Sequence, residues 1–377
     1  MAPLVATVAG GLVFVNATGQ RRMSKVEHPK SEQIMRIVLC YPIEGRHLAQ
    51  LQVAAPGHEM VDAGQERIAT ELLEADVFCG HAKVPVPWDE VVRRGRLQWI
   101  QSSAAGLDHC LTPATIASEI VVTSASGLFA DAVAEQTLAL LLGLLRGLPT
   151  FFRAAQKREF IRRPTGDLHR ATVGIVGLGG NGLRLAEVLR GFRTRIVATD
   201  MFADEKPACV DELWPADQLD RLLAESEIVI LCAPLNAQTQ GMIGAAQLQR
   251  MKKNSILINV ARGPLVVESD LVSALASGHL RGAGVDVTEM EPLPESSKLW
   301  DLPNVIITPH VGAQSQRRAD ETTNLIAENL RRFFAGRPLI NLVDKRLGYP
   351  TPAARRGEEL QAGRGARGGA EARREKE

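Results

Sequence analysis

Short apolar runs recur along the first part of the chain, separated by polar or helix-forming stretches. Four of these runs are rich in β-branched and aliphatic residues: 36–40, 75–79, 97–101 and 120–123. Continuous apolar runs of this length are typical of strands that are buried on both faces of a parallel sheet. They therefore predict a small α/β unit with a largely parallel sheet.

The second part of the chain repeats the alternation of strand and helix. Its apolar runs lie at residues 172–176, 195–199, 228–232, 255–259, 282–287 and 305–308. This pattern predicts a doubly wound α/β sheet. The predicted fold class is therefore α/β with two Rossmann-like domains, a doubly wound second domain and a smaller, flavodoxin-like first domain. A helix over 131–148 is apolar almost all round, which predicts burial between the domains. The charged segment 153–169 would cross to the second domain, and a helix over 315–335 is long enough to return to the first.

The two ends of the chain differ from this pattern. Residues 1–34 include the apolar run 11–15, but no positive residue precedes that run as in a signal peptide, so the segment is interpreted as a leader outside the fold. Residues 348–377 are rich in Gly, Ala, Arg and Glu and have little to bury, which predicts a disordered tail. An arginine-glycine tail that binds nucleic acid is the alternative. The interleaved glutamates cancel most of the charge that it would need.

Composition narrows the class of protein. Lys and Arg together number 44 and Asp and Glu 43, so no polyanionic or nucleic-acid partner is expected. The longest apolar helix is too short and too close to charges to span a bilayer, so no membrane partner is expected either. Five scattered cysteines without a CxxC pair indicate a reducing, cytoplasmic setting with no disulfide framework and no structural metal.

A glycine-rich turn joins the strand at 172–176 to a helix that is predicted to begin near Asn181. Gly177, Gly179 and Gly182 have the GxGxxG spacing. The first glycine would make the tight turn, the second would admit a pyrophosphate, and the third would let the helix pack on the strand. Asp200 ends the next apolar run, where a ribose-binding carboxylate belongs. The pattern predicts a dinucleotide site, although a glycine-rich turn by itself is weak evidence.

Three polar residues follow later strands, at the edge where open α/β sheets bind ligands. The planar guanidinium of Arg262 suits a substrate carboxylate, and the imidazole of His310 can exchange a hydroxyl proton near neutral pH. The carboxylate of Glu291 would favour the protonated imidazole. Taken singly, these residues could instead be a helix-start ion pair, a capped strand end and a solvated loop acid. A loop of small residues at 102–108, beyond the third strand, is either a ligand-binding loop or a plain turn.

Four motifs occur together in order, and in combination they resemble the D-isomer specific 2-hydroxyacid dehydrogenase family, most closely its glyoxylate/hydroxypyruvate reductases. They are Val176 to Gly179 with Asp200, Asn259 to Gly263, Asp286 and Val287 with Glu291 to Leu293, and Thr308 to His310. The resemblance covers residues 35–344. It implies a substrate domain of residues 35–147 and 317–345, split by an NAD-binding domain of residues 148–316, in a homodimer.

The resemblance also implies roles for individual residues. Arg262 would bind the substrate carboxylate, His310 would be the acid/base and Glu291 its partner. Ala105 and Gly106 would belong to the substrate-carboxylate loop, and Asp286 would meet the nicotinamide amide. The NAD contacts would include Gly177, Gly179, Gly180, Asn181, Asp200, Ala233, Thr239, Val260, Ala261, Asp286 and Gly312. The chain departs from the family pattern at Asn181, usually apolar, and at Thr288, frequently Phe.

The activity that these features imply is hydride transfer between NADH and a small 2-keto acid. Reduction of glyoxylate or hydroxypyruvate to the D-2-hydroxy acid is the expected reaction. A phosphoglycerate-type dehydrogenase is one alternative. A non-enzymatic, NAD-sensing protein similar to the corepressors of this fold is another, because such proteins can retain all three catalytic residues.

Overall fold

The computed structural model describes residues 33–358 and, before them, three strands. The strands are β1 (Leu4–Val8), β2 (Gly11–Val15), β3 (Arg21–Ser24), β4 (Arg36–Cys40), β5 (Glu59–Asp62), β6 (Val77–Gly80), β7 (Trp99–Ser102), β8 (Val121–Thr123), β9 (Thr172–Val176), β10 (Arg195–Asp200), β11 (Glu212–Pro215), β12 (Ile228–Leu231), β13 (Ile256–Asn259), β14 (Gly282–Val285), β15 (Val305–Ile307), β16 (Val343–Asp344) and β17 (Tyr349–Pro350). The α-helices are α1 (Gly45–Ala54), α2 (Gly64–Glu71), α3 (Trp88–Arg94), α4 (Pro113–Ala117), α5 (Ala130–Leu145), α6 (Leu148–Gln156), α7 (Gly180–Leu189), α8 (Leu219–Glu225), α9 (Ala245–Arg250), α10 (Glu268–Ala276), α11 (Arg318–Phe334) and α12 (Pro352–Arg355).

The chain divides into two compact units. Unit 1 comprises Met1–Ala125 and Ala319–Glu377, and unit 2 comprises Ser126–Arg318. The sequence predicted that the first segment of the substrate domain ends at residue 147, which would include helix α5. In the structure, α5 lies in unit 2 instead. The reason is packing: Leu140, Leu141 and Leu145 of α5 belong to the same buried cluster as the strands of the unit 2 sheet. The charged segment that follows α5 also lies in unit 2.

Unit 1 is built on a five-stranded parallel sheet with the order β5, β4, β6, β7, β8. Numbered within this sheet, the strands have the flavodoxin-like order 2-1-3-4-5, as predicted for the smaller domain. Strands β4, β6 and β7 are buried along almost their whole length, which explains their continuous apolar runs. Strand β5 lies at the edge, and its residues are exposed or half-buried.

Unit 2 is built on a seven-stranded parallel sheet with the order β11, β10, β9, β12, β13, β14, β15. The chain winds outward from β9 to β11 and then returns to β12 on the other side of β9. The topological switch point therefore lies between β9 and β12, and open α/β sheets bind ligands at the carboxyl ends of the strands beside such a point. The predicted fold class is confirmed.

The segment after residue 348 corrects the prediction of a tail that begins there. Tyr349–Pro350 pairs with Val343–Asp344 as an antiparallel ladder. The hydroxyl of Thr351 caps α12, and Ala354 is buried and accepts a hydrogen bond from the backbone of Asn341 at 2.8 Å. The composition of this segment is typical of a disordered tail. Its proline and small residues nevertheless form a short antiparallel ladder and one turn of helix.

Parts of both ends of the chain lie outside the described residues. Residues 359–377, to which the rest of the tail prediction refers, lie outside the described residues. In the predicted leader, β1, β2 and β3 form an antiparallel sheet of their own. The other residues before 33 lie outside the described part of the chain. The leader therefore stays a prediction.

The described residues contain neither a single helix that could span a membrane nor a metal-binding cluster. No single helix there is long and apolar enough to cross a membrane; α5 and α6 together pass that test of length and composition, but they are bent by 67°. Within the same residues no group of three or more His, Cys, Asp or Glu side chains could hold a metal ion. All five cysteines are free thiols.

Lys345 of unit 1 gives a testable pH dependence of stability. Its ammonium donates to the carbonyl oxygens of Thr115 at 3.0 Å and Ser118 at 2.7 Å. Burial lowers the pKa of Lys345 from 10.5 to about 8, although Glu119 acts in the opposite direction. Between these two values the unfolded chain binds more protons than the folded one, so the free energy of unfolding rises with pH.

We expect this rise to disappear in Lys345→Met, which keeps the apolar stem but cannot titrate. Chemical denaturation below pH 8 and between about 8 and 10.5 measures it. Lys252→Met is the matched control, because the Lys252 ammonium also donates to a backbone carbonyl oxygen, that of Glu225, but in an exposed contact. If the free energy of unfolding of the wild type fell across this pH interval relative to that of Lys345→Met, the lowered pKa of Lys345 would be contradicted.

Candidate active site and cofactor site

The glycine turn after β9 lies at the topological switch point of unit 2. Gly177 has a φ of +94°, a conformation that glycine adopts at little steric cost. A Cβ at this residue would lie 2.8 Å from the Cα of Ala233, which follows β12. The structure thus brings Gly177 and Ala233 together where the sheet reverses its winding.

Helix α7 begins directly beyond this turn, with Gly179 at its N-cap and Gly180 as its first residue. The sequence predicted the start near Asn181, one residue later. A Cβ at Gly182 would overlap the carbonyl oxygen of Gly177, so only glycine allows the helix to pack this closely on the turn. The first backbone N–H groups of a helix have no partner within it and carry its positive dipole end, which suits a pyrophosphate.

Asp200, at the end of β10, ties the glycine turn to the sheet. One carboxylate oxygen accepts the backbone N–H of Leu178 at 2.6 Å, and the other accepts that of Phe202 at 2.8 Å. A carboxylate has about four acceptor positions, so it can still bind ribose hydroxyls. The glycine turn, the helix N-terminus and this carboxylate fit a dinucleotide.

The remaining predicted cofactor residues follow neighbouring strands of the same sheet. Thr239 shapes the loop after β12, because its hydroxyl donates to the carbonyl oxygen of Pro234 at 2.6 Å and accepts the N–H of Asn236 at 2.9 Å. Val260 and Ala261 come directly after β13. These residues lie at the carboxyl ends of strands, as a cofactor-binding role requires. Their contact with the cofactor stays a prediction.

Arg262 lies in extended backbone just beyond β13, with a φ of −144°. Its guanidinium donates to the carbonyl oxygen of Ala261 at 2.7 Å, which orients the planar group. The side chain of Asn259 bridges this turn: its amide N–H donates to the carbonyl oxygen of Arg262 at 3.0 Å, and its oxygen accepts the N–H of Ala261 at 3.1 Å. A Cβ at Gly263 would overlap the backbone of Thr288, so the arginine segment abuts the segment that carries Glu291.

Glu291 and His310 form a hydrogen-bonded pair. Nδ1 of His310 lies 2.8 Å from one carboxylate oxygen of Glu291, and the other oxygen accepts the N–H of Thr288 at 3.2 Å. The two side chains remain 45% and 39% exposed, respectively. Since Nδ1 faces the carboxylate, Nε2 is the nitrogen that can exchange a proton with a substrate. Glu291 is therefore not the solvated loop acid of the alternative interpretation.

Asp286 lies directly after β14 and is 2% exposed. Its carboxylate accepts the hydroxyl of Thr308 at 2.6 Å and the N–H groups of Val311 and Gly312 at 3.0 and 2.7 Å. The predicted contact with the nicotinamide amide stays a prediction. What the geometry adds is that the same carboxylate holds the loop around His310.

Ala105 and Gly106 lie in unit 1, in the loop that follows β7. The N–H of Ala104 donates to the hydroxyl of Ser102 at 3.1 Å, and its carbonyl oxygen accepts the N–H of Ala125 at 3.0 Å. Ala105 is exposed and Gly106 half-buried. The hydrogen bonds of Ala104 thus fix the start of the loop, and the next two residues, Ala105 and Gly106, remain accessible.

Sequence reasoning missed the residues that orient this site. Asn259 belongs to a sequence motif that indicates no such role, Thr288 is a departure from the family pattern, and Gln136 belongs to none of the motifs. Gln136 donates to the hydroxyl of Thr308 across 172 positions of sequence at 2.9 Å. Only the position of Asn259, three residues before Arg262, was a local signal for such a role.

Comparison with known proteins decides the family. Residues 138–312 match the model described as D-isomer specific 2-hydroxyacid dehydrogenase, NAD binding domain. A glycerate dehydrogenase of Methylorubrum extorquens is 32% identical over 266 residues, which cover 68% of this chain and 82% of the relative. The chain belongs to the D-isomer specific 2-hydroxyacid dehydrogenase family.

Other relatives in this dehydrogenase family agree. A glyoxylate reductase of Thermofilum pendens is 34% identical over 260 residues, covering 66% of this chain and 75% of the relative. A solved D-isomer specific 2-hydroxyacid dehydrogenase from Xanthobacter autotrophicus Py2, in complex with NADPH and MES, is 30% identical with a TM-score of 0.72, covering 84% of this chain and 100% of that one. This dehydrogenase is thus a nicotinamide-dependent oxidoreductase that acts on the CH–OH group of 2-hydroxy acids.

Asp200 predicts which nicotinamide cofactor this dehydrogenase prefers. The predicted role of Asp200 is to accept ribose hydroxyls; its carboxylate would then repel a 2′-phosphate, so kcat/KM should be higher with NADH than with NADPH. Asp200→Asn removes the charge and should lower the ratio of the two kcat/KM values about tenfold or more.

The ratio is the proper readout because damage to the glycine turn affects both cofactors. Asp211→Asn is the matched control, since Asp211 also accepts a backbone N–H, that of Ile196 at 2.7 Å, but not beside the glycine turn. Steady-state kinetics with both cofactors test this. A higher wild-type kcat/KM with NADPH would contradict the role of Asp200.

Proposed function

We propose that this enzyme reduces a small 2-keto acid with NADH, either glyoxylate to glycolate or hydroxypyruvate to the D-2-hydroxy acid. The observation that carries the proposal is the 2.8 Å pair of His310 and Glu291, on the same sheet edge as Arg262 and the glycine turn. The proposal combines a proton donor, a carboxylate binder and a dinucleotide site. Bound NADH would supply the hydride to C2 of the keto acid.

Arg262 is assigned to the substrate carboxylate. A guanidinium can form two parallel hydrogen bonds to a carboxylate, which fixes both its position and its plane. A guanidinium has five N–H donors, and the contact with the carbonyl oxygen of Ala261 uses one of them. The N–H groups around Ala105 and Gly106 are proposed as further donors to the substrate.

His310 is assigned to the carbonyl oxygen. During reduction this oxygen gains negative charge, and a protonated imidazole gives it a proton through Nε2. Glu291 holds Nδ1–H and stabilises the imidazolium before the transfer. In the opposite direction, neutral His310 would accept the hydroxyl proton.

A panel of 2-keto acids with NADH tests the proposal. Absorbance of NADH would be followed with glyoxylate, hydroxypyruvate, pyruvate and phosphohydroxypyruvate. We expect the highest kcat/KM with glyoxylate or hydroxypyruvate and a D product from the latter. A preference for the phosphorylated acid would favour the phosphoglycerate-type alternative, and NADH binding without turnover of any acid would favour a sensor.

We also propose that the enzyme is a homodimer in the cytoplasm. Large apolar side chains are exposed on and just beyond α6, which supports a protein interface there; they are Leu148, Phe152, Phe160 and Ile161. Phe152→Asp combined with Phe160→Asp should give a monomer in sedimentation, whereas Val53→Asp, at an isolated exposed residue, should not. The five cysteines are free thiols, which supports the proposed location in the cytoplasm because that compartment is reducing.

A further inference from the structure

The loop that carries His310 has an unfavourable backbone conformation. His310 has a φ of +54°, in the left-handed region that residues with a Cβ seldom adopt. Its N–H donates to the backbone oxygens of Asp286 at 2.7 Å and Thr308 at 3.0 Å. Such a conformation persists only where the surroundings determine it.

The carboxylate of Asp286 connects both sides of this residue. One oxygen accepts the hydroxyl of Thr308, two positions before His310, and the N–H of Val311, one position after it. The second oxygen accepts the N–H of Gly312. The loop is therefore tied to one buried carboxylate at three points.

The hydroxyl of Thr308 joins this carboxylate to helix α5. It accepts from the side-chain amide of Gln136 at 2.9 Å and donates to Asp286 at 2.6 Å. The directions follow from chemistry, because an amide NH₂ can only donate and a carboxylate can only accept. The hydroxyl proton thus points at Asp286, and α5 holds the hydroxyl from the other side.

We propose that Thr308 and Gln136 are positioning residues that hold His310 in its reactive orientation through Asp286. The proposal rests on the proposed role of His310 as the acid. Neither residue is assigned a contact with substrate. Without the Thr308 hydroxyl, the carboxylate keeps only the two backbone donors and the Gln136 amide loses its acceptor, so the left-handed conformation of His310 loses part of its support. A displacement of about 1 Å in a reacting group can cost about 10²-fold in rate.

Three variants of the enzyme test this. Thr308→Val keeps the shape and removes the hydroxyl, and should lower kcat 10- to 100-fold while KM for the keto acid changes less than about threefold. Thr308→Ser keeps the hydroxyl and should restore most of the rate. Gln136→Leu should act in the same direction but more weakly, because it leaves the contact between Thr308 and Asp286.

A control and a double variant separate positioning from general damage. Thr194→Val removes another buried hydroxyl of unit 2, which donates to the carbonyl oxygen of Leu189 at 3.0 Å, and should leave kcat unchanged. In a His310→Ala background, Thr308→Val should have little further effect, because the residue that it positions is absent. An equal loss in both backgrounds, or a Ser variant as slow as the Val variant, would overturn the proposal.

A spectroscopic readout does not depend on turnover. In ¹⁵N-histidine-labelled protein, the ring nitrogens of His310 are identified by their loss in His310→Ala. In Thr308→Val the contact of His310 Nδ1 with Glu291 should loosen. We therefore expect both nitrogen resonances to move toward the averaged chemical shifts of an imidazole that exchanges between its two tautomers. Resonances that stay unchanged in Thr308→Val would overturn the proposal. If the wild-type protein reduced no keto acid, that result would instead contradict the proposed function.

Discussion

Replacement of His310 with alanine is expected to lower kcat/KM for keto-acid reduction about 10³-fold, which corresponds to about 4 kcal/mol of transition-state free energy. In the proposed mechanism, Nδ1 is held by Glu291 and the other ring nitrogen gives its proton to the substrate oxygen. Without the imidazole, water must supply the proton, and both reduction and oxidation should slow. Binding of NADH should change little, because the glycine turn and Asp200 are untouched.

Steady-state kinetics in both directions measure this effect, and NADH fluorescence titration measures cofactor binding. His169→Ala is the matched control, because His169 is an exposed histidine of the same unit outside the Glu291 pair. It should keep wild-type kcat/KM. If His310→Ala retained more than about a tenth of the wild-type value, another group would have to be the acid.

Replacement of Arg262 with lysine should lower kcat/KM about 10²-fold although the positive charge is kept. An ammonium cannot reproduce the planar two-point contact with a carboxylate, so the keto acid would bind more weakly and in a less defined orientation. We expect KM to rise and kcat to fall together. The contact between the guanidinium and the carbonyl oxygen of Ala261, at 2.7 Å, would also be replaced by a less directional one.

The matched control is Arg250→Lys. Arg250 pairs with Asp220 at 3.1 Å on the surface of unit 2, and the variant should keep wild-type kinetics. A series of keto acids of increasing length gives a second readout, because loss of a carboxylate contact should affect all of them similarly. Near-wild-type kcat/KM in Arg262→Lys would remove Arg262 from the substrate site.

The buried strands could be predicted from the sequence because each is an apolar run bounded by polar residues. Residues 36–40 and 172–176 coincide with β4 and β9, and the others agree within two residues. The edge strands β5 and β11 escaped prediction. Their sequences, Glu-Met-Val-Asp and Glu-Leu-Trp-Pro, carry no such run, since an edge strand is less buried and gains much of its stability from the neighbouring backbone.

The candidate site could be predicted only in part. The glycine turn, Asp200, Arg262, Glu291 and His310 follow strands, and strand ends can be recognised from sequence. The pairing of Glu291 with His310 depends on the register of β14 and β15, and the contact of Gln136 with Thr308 depends on how α5 packs. Neither has a local sequence signal. The left-handed backbone of His310 is likewise imposed by its contacts rather than by its residue type.

The proposed mechanism depends on the hydrogen bond between Glu291 and His310. Reduction requires the protonated ring, which gives a proton to the substrate oxygen. Glu291→Gln keeps the shape but removes the negative charge that would stabilise the imidazolium. We therefore expect this variant to lower kcat/KM for reduction about tenfold or more.

The decisive measurement is kcat/KM for keto-acid reduction in the wild type, Glu291→Gln and Glu289→Gln. Glu289 is the matched control because it lies two residues away and accepts the N–H of Glu268 at 2.9 Å rather than contacting His310. We predict that kcat/KM falls about tenfold or more in Glu291→Gln alone. A kcat/KM in Glu291→Gln equal to that of the wild type would contradict the claim that this carboxylate stabilises the catalytic imidazolium.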